Sequence, residues 1–218
     1  EYDGIVVIKK GHLAFEWYRQ PFFSPNKPHI AWSITKSFVN ALIGIAIKEK
    51  KLRLQDSICS YGLNQHCDMT IQNLLSFSSG LAWKESYEKT THIHQSDVIN
   101  MLFSSARQDI LSFVINHPLE KKPGTQWYYS SGDTNLLTGV LHHLYSSQDP
   151  QFPFTKLLNP IGISTASWQQ DGKGVYIGSS HLYMTPRDLA RFGYLFLMKG
   201  HWNHIQLFDQ SWVDTTIA

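Results

Sequence analysis

The stretch from Phe38 to Ile47, Phe-Val-Asn-Ala-Leu-Ile-Gly-Ile-Ala-Ile, is apolar on nearly every side when wound as a helix. A surface helix carries an apolar stripe and a polar face, whereas one that is apolar all round must be enclosed. Its most apolar part, Ala41 to Ile47, is far too short to span a bilayer and contains Gly44, so the enclosure has to be protein. Directly before the run stand Ser33-Ile34-Thr35-Lys36. Residues three apart share a helix face, so the Lys36 amine can reach the Ser33 hydroxyl, and the helix N-terminus favours negative charge developing on that oxygen. A lysine at the mouth of an enclosed helix is partly desolvated. Desolvation favours the neutral amine, which can take the serine proton. The implied chemistry is acyl transfer from a serine nucleophile with its own base.

Two other tetrads share the spacing, and context sets them aside. Ser24 to Lys27 contains Pro25 and lies between Pro21 and Pro28, which reads as irregular loop. Ser86 to Lys89 lies in a polar segment, Trp83 to Gln95, that also reads as loop. Only Ser33 leads into an enclosed helix.

With 218 residues and 42% hydrophobic content, the chain can bury a core as one domain or two closely joined lobes. Nineteen basic against seventeen acidic residues leave a formal charge of +2, and no basic block stands out, so nucleic acid is not an expected partner. Lys48 to Lys51 reads as a solvated helix end. His92-Ile93-His94 and His142-His143 lack the His-Glu-x-x-His spacing of a helical zinc site, and His66 beside Cys67 lacks a fourth ligand, so no metal is expected. Cys59 and Cys67 suit either a local disulfide or two thiols. Glu1 in place of an initiator methionine is the mark of a processed or partial product.

Along the chain, Ile5 to Ile8 and Leu13 to Tyr18 are β-prone runs flanking Lys9-Lys10-Gly11, a hairpin pattern. Leu52 to Asp56 reads as the exit from the Ser33 helix. Thr70 caps a short helix through Leu74 and Leu75, closed by Ser79-Gly80, and Ser96-Asp97 caps one with Val98, Ile99, Met101 and Leu102. Asp109 begins a helix around Ile110 to Ile115. Asp133 begins another with Leu136, Leu137, Val140, Leu141 and Leu144, and Thr185-Pro186-Arg187-Asp188 starts the last helix, which Gly200 ends. The pattern is many helices, one early hairpin and few later strands. A lone hairpin is not stable by itself, so its partner strands are either very short or absent.

Four segments occur in order: Ser33 to Lys36, Thr70 to Leu81, Pro123-Gly124-Thr125-Gln126-Trp127-Tyr128-Tyr129-Ser130-Ser131-Gly132-Asp133, and Gly178-Ser179-Ser180 ahead of Thr185 to Gly193. Together they resemble the penicillin-recognising serine hydrolases, and within them the class C β-lactamase-related branch with its esterases, D-amino peptidases and 6-aminohexanoate-dimer hydrolases. The resemblance implies an α+β, β-lactamase/transpeptidase-like fold: an antiparallel sheet with a helical region. On that reading residues 1–218 form one domain, with the hairpin and loop in 1–32 and a mainly helical region in 33–200. Counting six residues from Pro123 places the family tyrosine at Tyr129, which implies a proton shuttle there. Ser131 occupies the place of the family's substrate-binding asparagine and offers one donor where an amide offers two donors and an acceptor. Trp127 and Trp83 are implied cleft walls, although a buried packing role suits a tryptophan equally well.

The family's third element, Lys-Thr-Gly or a His/Gly variant on a late strand, is not found. The resemblance therefore implies a C-terminally incomplete sheet, with the activity of these 218 residues alone in doubt. The expected function is a serine hydrolase of a small-molecule ester, amide or peptide-like substrate, with Ser33, Lys36 and Tyr129 catalytic, Ser131 and Trp127 binding substrate, and no cofactor. The alternatives are β-lactamase or penicillin-binding D-Ala peptidase activity and, from another class, a noncatalytic binding protein on the same fold. The expected location is periplasmic or secreted, with the cytoplasm as the alternative.

Overall fold

The computed structural model describes residues 2–87 and 95–217. The His92-Ile93-His94 group and the end of the Ser86 tetrad lie outside them.

The chain opens with the expected hairpin, β1 (Gly4–Lys9) and β2 (His12–Tyr18), paired from Gly4↔Tyr18 to Lys9↔His12 with an irregularity between Val7 and Ile8. The apolar run becomes α1 (Thr35–Lys48), entered through a single 3₁₀ turn at Trp32–Ile34. Phe38, Val39, Ala41, Leu42, Ile43 and Ala46 are all buried, as an all-round apolar helix requires. Gly44 explains itself here: an added Cβ would lie 2.4 Å from the Trp212 indole, so only glycine lets that ring rest on the helix backbone.

The helices around α1 start at capping side chains. In α2 (Ile71–Leu75), Thr70 and Asn73 form a reciprocal capping box. Ser96 caps α3 (Asp97–Phe103) and Asp109 caps α4 (Ile110–Ile115). The second central helix, α5 (Ser131–Tyr145), is buried along most of its length and packs on α1, α2 and α4. It begins two residues before the expected start at Asp133. Ser130 is the cap, its hydroxyl accepting from the Asp133 N–H, so the acidic residue sits in the first turn and imitates a cap in sequence. Thr185 and Asp188 form a second capping box at α6 (Pro186–Leu197).

Two helix ends differ from expectation. Helix α2 stops at Leu75, with Gly80 belonging to the following turn, and α6 stops at Leu197, three residues before Gly200. Nor is α6 the last helix. A small hairpin, β6 (His201–Trp202) and β7 (Ile205–Gln206), leads to α7 (Gln210–Ile217), whose buried contribution is only Trp212 and Val213, too little apolar periodicity to notice.

The second sheet is built from very short strands, β3 (His29–Ile30), β4 (Ser167–Trp168) and β5 (Leu182–Met184), antiparallel in the order β3-β5-β4. Its register pairs Ile30 with Tyr183, and the Ala31 N–H donates to the Leu182 carbonyl at 2.7 Å. The segment just before Ser33 is thereby clamped to the segment just after Ser180. The first hairpin gains no third strand among the described residues. It leans on α6 instead, where Arg187 makes a two-point ion pair with Glu16 at 2.6 and 2.8 Å. Cys59 and Cys67, left open by their spacing, are joined as a disulfide. Among the described residues, no helix is long and apolar enough to cross a membrane.

Candidate active site

Ser33 sits in the middle of the 3₁₀ turn that feeds α1, and its side chain is exposed. Trp32 before it has φ +45°, a left-handed conformation unusual for an aromatic residue and costing on the order of 1–3 kcal/mol. The turn so bent presents the hydroxyl above the helix start. Lys36 follows one turn later, half-buried, with Nζ 3.1 Å from Ser33 Oγ. The same Nζ donates to the Ser179 carbonyl at 3.0 Å and lies 5.0 Å above the centre of the Tyr129 ring. One amine thus joins a turn at residue 33, a strap at residue 179 and an aromatic from the approach to α5.

Each partner is held from behind. The Tyr129 ring packs on Phe77 at 5.0 Å, and the Tyr128 N–H donates to the Phe77 carbonyl, tying the Tyr128–Tyr129 segment to the end of α2. The strap passes so close to α5 that a Cβ on Gly178 would lie 1.8 Å from the Thr138 hydroxyl, which accounts for the glycine. Asn135 on α5 fixes the strap. Its Oδ1 accepts from the Gly178 N–H at 2.9 Å, while Nδ2 donates to Ser179 Oγ at 2.9 Å and to the Ser131 carbonyl at 3.0 Å. This buried amide has its carbonyl and both amide hydrogens engaged, and it links the start of α5 to the segment whose carbonyl holds Lys36.

The residues expected at the site separate into those gathered around Lys36 and those outside. Ser33, Lys36 and Tyr129 meet although Tyr129 is distant in sequence. Ser131 lines the cavity beside Ser33, but it is only 2% exposed, and its hydroxyl donates to Glu85 at 2.6 Å. Trp127 is 66% exposed and does not line that cavity. Trp83 is 5% exposed, packs against Phe113 and His117 with its N–H on Glu85, and does not line the cavity at Ser33.

Glu85 and Asn135 escaped the sequence reading. Glu85 lies in the polar segment read as loop, where nothing marks one carboxylate from its neighbours; Asn135 left a signal, a polar residue among the buried positions of α5. Glu85 accepts from the Trp83 indole, the Ser131 N–H, the Ser131 hydroxyl and the Tyr87 hydroxyl.

The cavity at Ser33 has a volume of about 330 Å³ and is lined by Trp32, Tyr87, Ile99, Leu102 and Phe103 together with Ser33, Ser131, Ser179 and Ser180. Ser180 Oγ lies 2.6 Å from Nδ1 of His181, whose pKa is lowered by burial and then by the charge of Arg107. A second, largely apolar cavity of about 460 Å³ is lined by Lys36 together with Phe77, Phe192 and Ile217. Behind the site, burial pushes the Asp133 carboxyl up to about 7, against the hydroxyl hydrogen bonds of Ser79 and Ser130. Among the described residues no cluster of three His, Cys, Asp or Glu side chains is arranged to hold a metal ion.

The sequence profile of the family described as Beta-lactamase matches residues 3–211. The 6-aminohexanoate-dimer hydrolase of Paenarthrobacter ureafaciens is 22% identical over 228 aligned positions, which cover 99% of this chain and 57% of that protein. This chain therefore spans little more than half of that relative. Among solved structures, a Bacillus anthracis protein provisionally named as a 6-aminohexanoate-dimer hydrolase superposes with a TM-score of 0.82 at 22% identity, covering 98% of this chain and 58% of the other. An octameric penicillin-binding protein homologue from Pyrococcus abyssi superposes with a TM-score of 0.71 at 17% identity, covering 97% of this chain and 55% of its own.

Proposed function

The chain belongs to the beta-lactamase family, and from that premise we propose that it provides the nucleophile and base of a serine hydrolase that cleaves an ester or amide through an acyl-enzyme on Ser33. The observation that carries this reading is the placement of Lys36 Nζ 3.1 Å from Ser33 Oγ and 3.0 Å from the Ser179 carbonyl. In its neutral form an amine donates N–H to a carbonyl while its lone pair accepts the serine proton. The Ser179 carbonyl therefore orients the base as well as holding it.

Ser33 Oγ attacks the substrate carbonyl carbon as its proton passes to Lys36, giving a tetrahedral oxyanion. Collapse expels the alcohol or amine, which takes that proton back from Lys36. The Tyr129 ring flanks the amine, with Lys36 Nζ 5.0 Å from its centre, and on this reading its hydroxyl relays that proton from Lys36 to the leaving group. Water then attacks the acyl-enzyme by the reverse route, restoring Ser33.

Within the family the Paenarthrobacter ureafaciens relative is named as a hydrolase of 6-aminohexanoate dimer, which supports amides as well as esters as substrates. The penicillin-binding protein names among the structural neighbours favour a second reading, hydrolysis of β-lactams or D-Ala peptides by the same nucleophile. The Cys59–Cys67 disulfide supports a periplasmic or secreted location. The test compares p-nitrophenyl acetate with nitrocefin, using Ser33→Ala as control. Ester turnover that disappears in Ser33→Ala is the expected result; turnover that survives it overturns the reading, and Ser33-dependent turnover of nitrocefin alone transfers it to the second.

A further inference from the structure

A relay through Tyr129 needs its hydroxyl held at the amine of Lys36, yet among the described residues that hydroxyl makes no hydrogen bond. Its place is set by its ring, packed on Phe77 at 5.0 Å, and by the chain on either side of it. Glu85 grips that stretch of chain twice. Its N–H donates to the Tyr128 hydroxyl at 3.3 Å, and its carboxylate accepts from the Ser131 N–H at 2.9 Å and the Ser131 hydroxyl at 2.6 Å. Glu85 is itself fixed by its neighbours. The carboxylate also accepts from the Tyr87 hydroxyl and from the indole of Trp83, a buried ring packed on Phe113 of α4. Lys84 exchanges two hydrogen bonds with Asp97 at the start of α3, its N–H donating to the carboxylate at 2.7 Å and its carbonyl accepting from the Asp97 N–H at 3.0 Å. Residue 85 is thus anchored to α3 and α4, and it passes that anchorage to the first turn of α5.

We propose that Glu85 is a positioning residue: by joining the 83–87 segment to Tyr128 and Ser131, it holds Tyr129 where its hydroxyl relays the proton between Lys36 and the leaving group. The proposal rests on the reading of Ser33 as the nucleophile and Tyr129 as the relay. The role depends on reach, not on charge. Each carboxylate oxygen takes two donors, Oε2 the N–H groups of Trp83 and Ser131, Oε1 the hydroxyls of Ser131 and Tyr87. A glutamine keeps this pattern, its carbonyl oxygen serving the two N–H groups while its amide donates to the two hydroxyls, which accept as readily as they donate. An aspartate keeps the charge but is one methylene too short to span from residue 85 to both. Misplacing a reacting group by about 1 Å is enough to slow a reaction by about a hundredfold.

The test uses the full natural chain and stopped-flow acylation by p-nitrophenyl acetate, at one pH because the Glu85 charge also raises the pKa of Asp133. Glu85→Asp is expected to slow acylation by about tenfold or more with half-saturation little changed, while Glu85→Gln stays within about threefold of wild type. Added to Tyr129→Phe, Glu85→Asp should slow acylation further by less than about threefold, since no hydroxyl is left to place. Glu85→Gln as slow as Glu85→Asp overturns the proposal, and so do losses that multiply in the double variant. Hydrogen exchange at the Ser131 amide reads the grip without turnover, and it should quicken by about tenfold or more in Glu85→Asp and stay unchanged in Glu85→Gln. Quickened exchange without turnover that depends on Ser33 and Tyr129 sinks the catalytic reading and leaves Glu85 as the holder of the 128–131 segment. Such turnover with exchange and rate both unmoved in Glu85→Asp overturns the proposal alone.

Discussion

Lys36 touches a hydroxyl, a carbonyl and an aromatic face, and each contact asks something different of it. In the proposed reaction the hydroxyl needs a base, the carbonyl fixes where the amine points, and the ring flanks it. Removing any part should cripple the same step, so the losses should not add. Lys36→Ala and Tyr129→Phe, which keeps the ring and removes only the hydroxyl proposed to relay the proton, are each expected to slow acylation by about a hundredfold or more, with the double variant little worse than the poorer single. Stopped-flow release of p-nitrophenol measures this, and additive losses would separate the two roles. Asn135 is proposed to act one step further back, as a positioning residue through the 178–180 strap. Asn135→Asp keeps an acceptor for the Gly178 N–H but loses the donors to Ser179 Oγ and the Ser131 carbonyl, so it should lower kcat by about tenfold or more with KM little changed. A raised KM with kcat unchanged would contradict that positioning role.

Asp133 makes the opposite kind of prediction, about stability. Burial is the largest cause of its raised pKa, with the nearby Glu85 charge adding to it, and Oδ2 has no hydrogen-bond partner among the described residues. Between about pH 4 and about pH 7 the folded chain holds a proton that the unfolded chain has released. The stabilisation is complete below that window and is lost as pH rises through it. Asp133→Asn should therefore gain stability relative to wild type on going from pH 5 to pH 8. Urea midpoints at the two pH values test it, and an unchanged difference would contradict it.

At the scale of elements, α2, α3, α4 and α6 were legible because each announces its start with a side chain. Thr70, Ser96, Asp109 and Thr185 all cap where their chemistry says they should. The first hairpin was legible from its β-prone runs. The three strands that bring Ser33 to Ser179 were not, because strands of two or three residues are too short to show alternation and depend on the partner they pair with. The grouping at the candidate site was readable where the spacing is local, as in Ser33 and Lys36, or where a resemblance supplied the distant partner, as for Tyr129. Glu85 came from neither source. The disulfide belongs to this scale too: it closes a short loop ahead of α2, with the cysteines eight positions apart, and its removal in Cys59→Ala/Cys67→Ala should cost about 2–3 kcal/mol in chemical denaturation. No measurable loss would mean that the Ser57–Thr70 pairing beside it already holds the loop.

Across the whole molecule, two enclosed helices, α1 and α5, form the frame on which the site is mounted, and the short three-stranded sheet ties the strap to the nucleophile turn. The first hairpin stands apart from this frame. Its inner face meets α6, while Ile5, Val7, Phe15 and Trp17 leave an apolar outer face exposed. The catalytic reading does not pass through that hairpin; it depends on whether Ser33 is activated where Lys36 meets it. The most direct measurement is the site of covalent modification by a fluorophosphonate probe, mapped by mass spectrometry on the full natural chain. One adduct on Ser33, lost in Ser33→Ala and slowed strongly in Lys36→Ala, is the predicted result. An adduct on Ser24, Ser86 or Ser180, or labelling that persists in Ser33→Ala, would contradict the account.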